Sequence, residues 1–353
     1  GTVRSIVERQ APRGARGRRR APAEGWSDVK NSLSAMLAGI VDYAGHFAPA
    51  KLPLDEAARR FGALRGGPAG WLVGRFVAPA ARLDDLAPLL PALGSPTPPL
   101  AAIGRGGADA AAALAGLDRD LGDVDVFLGH HPEARVELCE TRLPAPLCEP
   151  ARRAELEQYV ERALDLVERS APAAITLFFE GSYGPDWRRS LVSIAEAIAE
   201  AWRRRGAGAK ALGAGFKLRC GGAAAQDVPP AEQVALALAV CRDHGVPFKA
   251  TAGLNLPVRR LNHQLFVKQH GFLNVFGAAA LAAAQGLDEA QLAEIVADED
   301  PAAFVFGPDE FRWREFAVAS DEIAASRAQF AGSFGGCRVE EAHAALGALG
   351  LVD

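Results

Sequence analysis

An alternation constrains this chain more than any other feature. From about residue 33, short strand-like runs ending in Gly or Pro alternate with longer Ala/Leu/Arg/Glu segments of helical period. The eight runs are 39–43, 71–77, 100–103, 135–140, 175–180, 215–219, 247–251 and 272–276. Helical period falls on 54–65, 84–93, 107–128, 151–169, 188–205, 230–244 and 258–269. Such alternation means parallel strands joined by helical crossovers, which leaves an open doubly wound sheet or a closed (β/α)8 TIM barrel. Eight units in roughly 240 residues match the ~250 of a typical barrel, so an α/β fold of the barrel type is expected.

The flanks read differently. Residues 1–20 carry seven Arg and one acid, Glu8, so 1–28 is expected to be a disordered basic arm. The barrel is assigned to 29–285. Residues 286–353, with helical period at 288–296, 321–330 and 339–349, are assigned to a helical appendage packed on it.

The net charge of -4 and the 7% aromatic content give no case for a nucleic-acid partner. No stretch reaches the ~20 apolar residues of a membrane span. The five cysteines are scattered, without CxxC spacing, which fits a reducing cytoplasm rather than a disulfide framework. The partner these bounds leave is a small-molecule substrate. The oligomeric state stays open, a homo-oligomer included.

Strand residues alternate faces, so polar residues in strands covered by helices must point into the barrel, whose functional end lies at the strand C-termini. The alternation offers Asp42, Arg75, Glu140, Glu180, Lys217 with Arg219, Lys249 with Thr251, and Asn274; Glu137 falls on the opposite parity. A structural barrel would fill these places with Val, Ile and Leu, whereas unpaired buried charges cost several kcal/mol each. The groups must therefore compensate one another or serve a ligand.

Of 39 basic residues only six are Lys, so a Lys in an interior position calls for a chemical reason. Lys217 and Lys249 lie on consecutive strands, each just after a Phe, and adjacent strands run ~4.8 Å apart. Like charge and burial both lower a lysine pKa, which yields the neutral amine that attacks a carbonyl. One Lys would form a Schiff base while Glu180, Glu140 or Asp42 moves protons.

The segments Phe179-Glu-Gly181, Gly215-Phe-Lys-Leu-Arg-Cys-Gly-Gly222, Phe248-Lys-Ala-Thr-Ala-Gly253 and Phe276-Gly-Ala-Ala279 resemble the deoxyribose-phosphate aldolase type of class I aldolase over residues 175–280. That resemblance implies a barrel lyase for a small carbonyl or sugar-like substrate, with Lys217 as the Schiff-base residue and Lys249 as its pKa-lowering neighbour. Leu218-Arg219-Cys220 stands where the family is hydroxyl-rich, and Ala278 and Ala279 stand where it carries phosphate-binding serines, which implies an altered substrate.

Arg75, Arg219, Thr251, Asn274 and His46, the last just beyond the first strand, are the candidate substrate contacts. Gly221, Gly222, Gly253 and Gly277 are candidate phosphate-binding positions through their backbone amides. This reading needs no cofactor and no metal. Two alternatives remain: a divalent-metal isomerase or lyase using Asp42, Glu140 and Glu180, and a non-catalytic binding barrel whose ions compensate one another.

Overall fold

The computed structural model describes residues 29–171, 175–205 and 213–353; the basic arm expected at 1–28 lies outside them. Among the described residues, eight parallel strands close a (β/α)8 barrel. They are β1 (Val41–Tyr43), β2 (Val73–Pro79), β3 (Pro99–Ile103), β4 (Arg135–Arg142), β5 (Thr176–Glu180), β6 (Gly213–Arg219), β7 (Phe248–Thr251) and β8 (Ala331–Gly336). Each pairs with its sequence neighbour, and β8 closes the ring between β7 and β1.

The outer ring follows from amphipathic helices. Trp187–Arg205 buries Leu191, Ile194, Ala195 and Ile198 against the barrel and ends in Arg203, Arg204 and Arg205, where the helix dipole favours cations. Ala231–His244 stops at Gly245, whose φ of 65° is the left-handed turn that glycine adopts without strain. The 84–93 stretch is one α-turn, Leu83–Leu86, running into a 3-10 segment, Ala87–Leu93. Among the described residues no helix is long and apolar enough to cross a membrane.

Three expectations are overturned. The run 272–276 is not a strand; it opens the helix Phe272–Gln285, buried at every position from Phe272 to Ala282. A segment apolar on all sides has no period to separate buried helix from buried strand, and the Ala-rich continuation decides for helix. The true eighth strand, Ala331-Gly-Ser-Phe-Gly-Gly336, has the small residues of a loop. Pairing with β7 and β1 on both sides makes it a strand.

The C-terminal segment is consequently not a helical appendage beside a finished barrel: it supplies β8, and 304–319 forms a three-stranded antiparallel sheet. The expected helix 258–269 is a hairpin, Arg260–Asn262 against Val267–Gln269.

Register irregularities place the polar residues. Leu100 pairs with Val136 and Ala101 with Leu138, so Glu137 is an extra residue in β4 and the alternation slips there. A second irregularity sets Gly74 and Arg75 of β2 opposite Asp42.

Gly277 shows how the corrected helix packs. A Cβ there would lie 3.0 Å from the Phe311 ring, so Gly277→Val should cost about 1–3 kcal/mol by overpacking. Urea unfolding measures this; an unchanged midpoint would contradict the packing.

Candidate active site

The barrel interior is divided. On one arc Val77, Ala101, Leu138 and Phe178 form an apolar cluster, with Ala44, Phe47 and Ile103 packed on it. The Phe178 ring reaches across to β6, where a Cβ on Gly215 would lie 2.4 Å from it. Strands β2, β4 and β5 also carry charge, and β6, β7 and β1 carry the rest. Glu180, Lys217, Lys249 and Ser333 are successive register partners across β5, β6, β7 and β8.

These side chains form one buried ion network. Lys217 Nζ lies 2.6 Å from Glu140 Oε2 and 2.8 Å from Glu180 Oε2. Lys249 Nζ donates to Asp42 Oδ2 and, at 3.1 Å, to Ser333 Oγ, and lies 3.3 Å from Glu140 Oε1. Ser333 Oγ in turn donates to Asp42 Oδ2 at 2.6 Å. Glu140 thus sits between the two ammonium groups, one on each oxygen. Asp42, Glu140, Glu180, Lys217, Lys249 and Ser333 are all buried.

Arginines close the network at its edges. Arg75, the third residue of β2, donates its backbone N–H and Nη1 to Asp42 Oδ1 at 3.2 and 3.3 Å, and Nε to Glu137 at 3.0 Å. At the C-terminal mouth, Glu180 Oε1 accepts from Arg219 Nε and Nη2 at 3.2 and 3.1 Å and from Arg142 Nη2 at 3.4 Å.

The electrostatics reverse one expectation. Burial favours the neutral form of each carboxyl, yet nearby cations outweigh it. Lys249 and Arg75 bring Asp42 from 3.8 down to about 2, and Lys217 and Arg219 bring Glu180 from 4.5 to about 2. Glu140 is lowered by Lys217 and Lys249 against the same burial. Lys217 was expected to be lowered by burial and by Lys249. Burial does push it down, but Glu140 and Glu180 more than offset this and raise it above 10.5, holding an ammonium.

The other candidates divide. Thr251 ends β7 beside Arg219 and Gly335, half-buried at the mouth. His46 lies in the loop after β1; Nδ1 donates to Leu52 O at 2.8 Å, leaving Nε2 to accept from Arg82 Nη1 at 3.1 Å. Asn274 is not in the barrel. It sits at the start of the helix Phe272–Gln285, accepts from Arg259 N and donates to Ile295 O and Asp298 O, a loop-fastening role.

Gly277 is inside that helix against Phe311 and offers no anion cradle. Gly221 and Gly253, in the loops after β6 and β7, meet backbone to backbone: a Cβ on Gly221 would lie 2.7 Å from Gly253 Cα. Gly222 is faced by the Asp227 carboxylate, a poor neighbour for an anion.

Sequence reasoning missed Ser333 because it missed β8. Arg142 lies beyond the strand-like run 135–140, although the same alternation two residues past Glu140 reaches it. Among the described residues no group of three or more His, Cys, Asp or Glu is placed to hold a metal ion. Asp42, Glu140 and Glu180, the donors of the metal alternative, each carry a cation already.

Fold and site together define a (β/α)8 barrel with a buried lysine–carboxylate network that runs through its interior to Glu180 at the C-terminal mouth. No protein-family model matches the sequence, and no curated protein matches it. Among solved structures the chain is similar to deoxyribose phosphate aldolase from Aeropyrum pernix, described as a unique tetramer: 11% identity, 90% of this chain and 93% of that one, TM-score 0.45. It is also similar to a protein of Toxoplasma gondii provisionally assigned as a deoxyribose-phosphate aldolase: 12% identity, 90% and 97% coverage, TM-score 0.46.

The network has a pH signature. The folded pKa values of Asp42 and Glu180 lie below their ordinary ones, so their stabilisation is complete above about pH 5 and is lost as pH falls from 4.5 towards 2. Asp42→Asn should cost about 3–5 kcal/mol at pH 7 by leaving Lys249 under-compensated. It should also flatten part of the acid limb. Urea midpoints from pH 7 to 2 measure both, and identical acid limbs would contradict the coupling.

Proposed function

We propose that this protein is an aldolase-type lyase acting on a small carbonyl substrate through a Schiff base on Lys217. The carrying observation is the placement of Lys217 between two carboxylates, Glu140 and Glu180, towards the C-terminal ends of the strands. Lys249 is a poorer nucleophile candidate, being held by Asp42, Ser333 and Glu140 at 1% side-chain exposure. Its charge neutralises Glu140 and positions it.

The chemistry balances with these groups. Lys217 transfers a proton to Glu180 Oε2, and the amine adds to the substrate carbonyl. The carbinolamine takes the proton back and loses water, so that one carbonyl and one ammonium become one protonated imine on Lys217 and one water. For a β-hydroxy substrate Glu140 takes the hydroxyl proton. The Cα–Cβ bond breaks as an aldehyde leaves, and the bonding pair passes into the iminium as an enamine. Protonation at carbon and addition of water release the second product and the amine.

A competing reading, a barrel that binds without catalysis, is favoured by one observation: the carboxylates and lysines compensate one another and Lys217 is held charged.

Borohydride reduction with a panel of small aldehydes and ketones, neutral and acidic, followed by peptide mass spectrometry separates the two. The lyase reading predicts a reduced adduct on Lys217 that is absent from Lys217→Met. No adduct, or labelling no greater than at the surface residue Lys268, supports the binding barrel.

Adduct formation should climb with pH through the alkaline range, because only the amine reacts. Glu140→Gln should move that climb to lower pH by removing a carboxylate that raises Lys217. A climb that stays in place would contradict this electrostatic assignment.

A further inference from the structure

Glu180 is shared unevenly. Its inner oxygen, Oε2, takes the Lys217 ammonium at 2.8 Å. Its outer oxygen, Oε1, takes both mouth arginines, Arg219 at 3.1 Å and Arg142 at 3.4 Å. The carboxylate is 9% exposed, while Arg142 and Arg219 are 64% and 42% exposed. Two solvent-facing guanidiniums therefore crowd one oxygen of a buried carboxylate. A guanidinium fork matches two oxygens of a carboxylate or phosphate, a geometry that sharing one oxygen leaves unused.

We propose that the substrate is a carbonyl compound bearing an anionic group, carboxylate or phosphate, that draws Arg142 and Arg219 away from Glu180 and so turns Glu180 into the acceptor of the Lys217 proton. This rests on the Schiff-base reading above and adds substrate class and trigger to it. Arg142 and Arg219 would bind the anion and act on the amine only through Glu180.

The charges facing Glu180 support the exchange. They are Lys217 and Arg219 from β6 and Arg142 from β4, with the phenol of Tyr183 held neutral nearby by burial. With all three cations in place Glu180 is held at about 2 against its own burial, a weak base for an ammonium. Removing two of them leaves burial less opposed and its proton affinity rises. The proton then passes from Nζ to Oε2 across an existing 2.8 Å contact, so an anionic substrate in the mouth promotes the free amine below the alkaline range in which it forms by titration.

The test compares borohydride trapping rates for matched ketones, pyruvate against acetone and dihydroxyacetone phosphate against dihydroxyacetone, in the wild type and in Arg142→Ala/Arg219→Ala. The proposal predicts a preference for the anionic member of at least one pair in the wild type, about 10-fold beyond that of the double variant. The responding pair tells carboxylate from phosphate.

The double variant should also trap the neutral ketones faster than the wild type does, because its Glu180 is permanently released. Loss of two exposed side chains with a merely structural role would not produce that gain. Equal anionic preference in both proteins, with the adduct on Lys217, overturns the trigger and leaves the Schiff-base reading standing. No adduct from any of the four ketones overturns both.

Discussion

Glu140 is the group on which the rest of the interior depends. Its two oxygens face Lys217 and Lys249 on adjacent strands, at 2.6 and 3.3 Å. Two ammonium groups in neighbouring register positions would otherwise repel across ~4.8 Å in a medium that screens poorly. With Glu140 between them, Asp42 and Ser333 complete the shell of Lys249 and Glu180 completes that of Lys217. Desolvating each ion costs several kcal/mol, so the arrangement is tolerable only because nearly every charge has a partner. Breaking one contact leaves the others over- or under-compensated, which makes the network a unit.

Apolar and ionic side chains share strands inside this barrel. Strands β2 to β5 contribute Val77, Ala101, Leu138 and Phe178, while β2, β4 and β5 also bring Arg75, Glu140 and Glu180 to the charges of β6, β7 and β1. Small residues leave room along the barrel wall: Gly215 accommodates the Phe178 ring, and Gly335 lies beside the Thr251 hydroxyl.

Much of this was legible in the sequence. Glu180, Lys217 and Lys249 emerge from strand parity because β5 and β6 pair regularly with β6 and β7, and Asp42 and Glu140 emerge because each lies near the end of its strand-like run. The scarcity of Lys marks two of them. What was not legible has local causes. Phe272–Phe276 has strand composition but lies in a helix buried on all sides, so Asn274 and Gly277 were misplaced with it. Ala331–Gly336 is a strand only because two neighbours pair with it, so Ser333 was invisible. Glu137 reaches Arg75 through a register slip that parity cannot express. The direction of the Lys217 shift needed the geometry, because the balance between burial and two carboxylates depends on distances that parity does not supply.

The central claim is that carboxylates, not burial, govern Lys217 in the free protein. With six lysines in the chain, a proton-detected titration of isotope-labelled lysine side chains can follow each amine, and Lys217→Arg assigns the resonance. The account predicts that Lys217 remains an ammonium past the ordinary lysine value of about 10.4. Deprotonation near or below about pH 8, the behaviour of a buried lysine without compensating carboxylates, would contradict it.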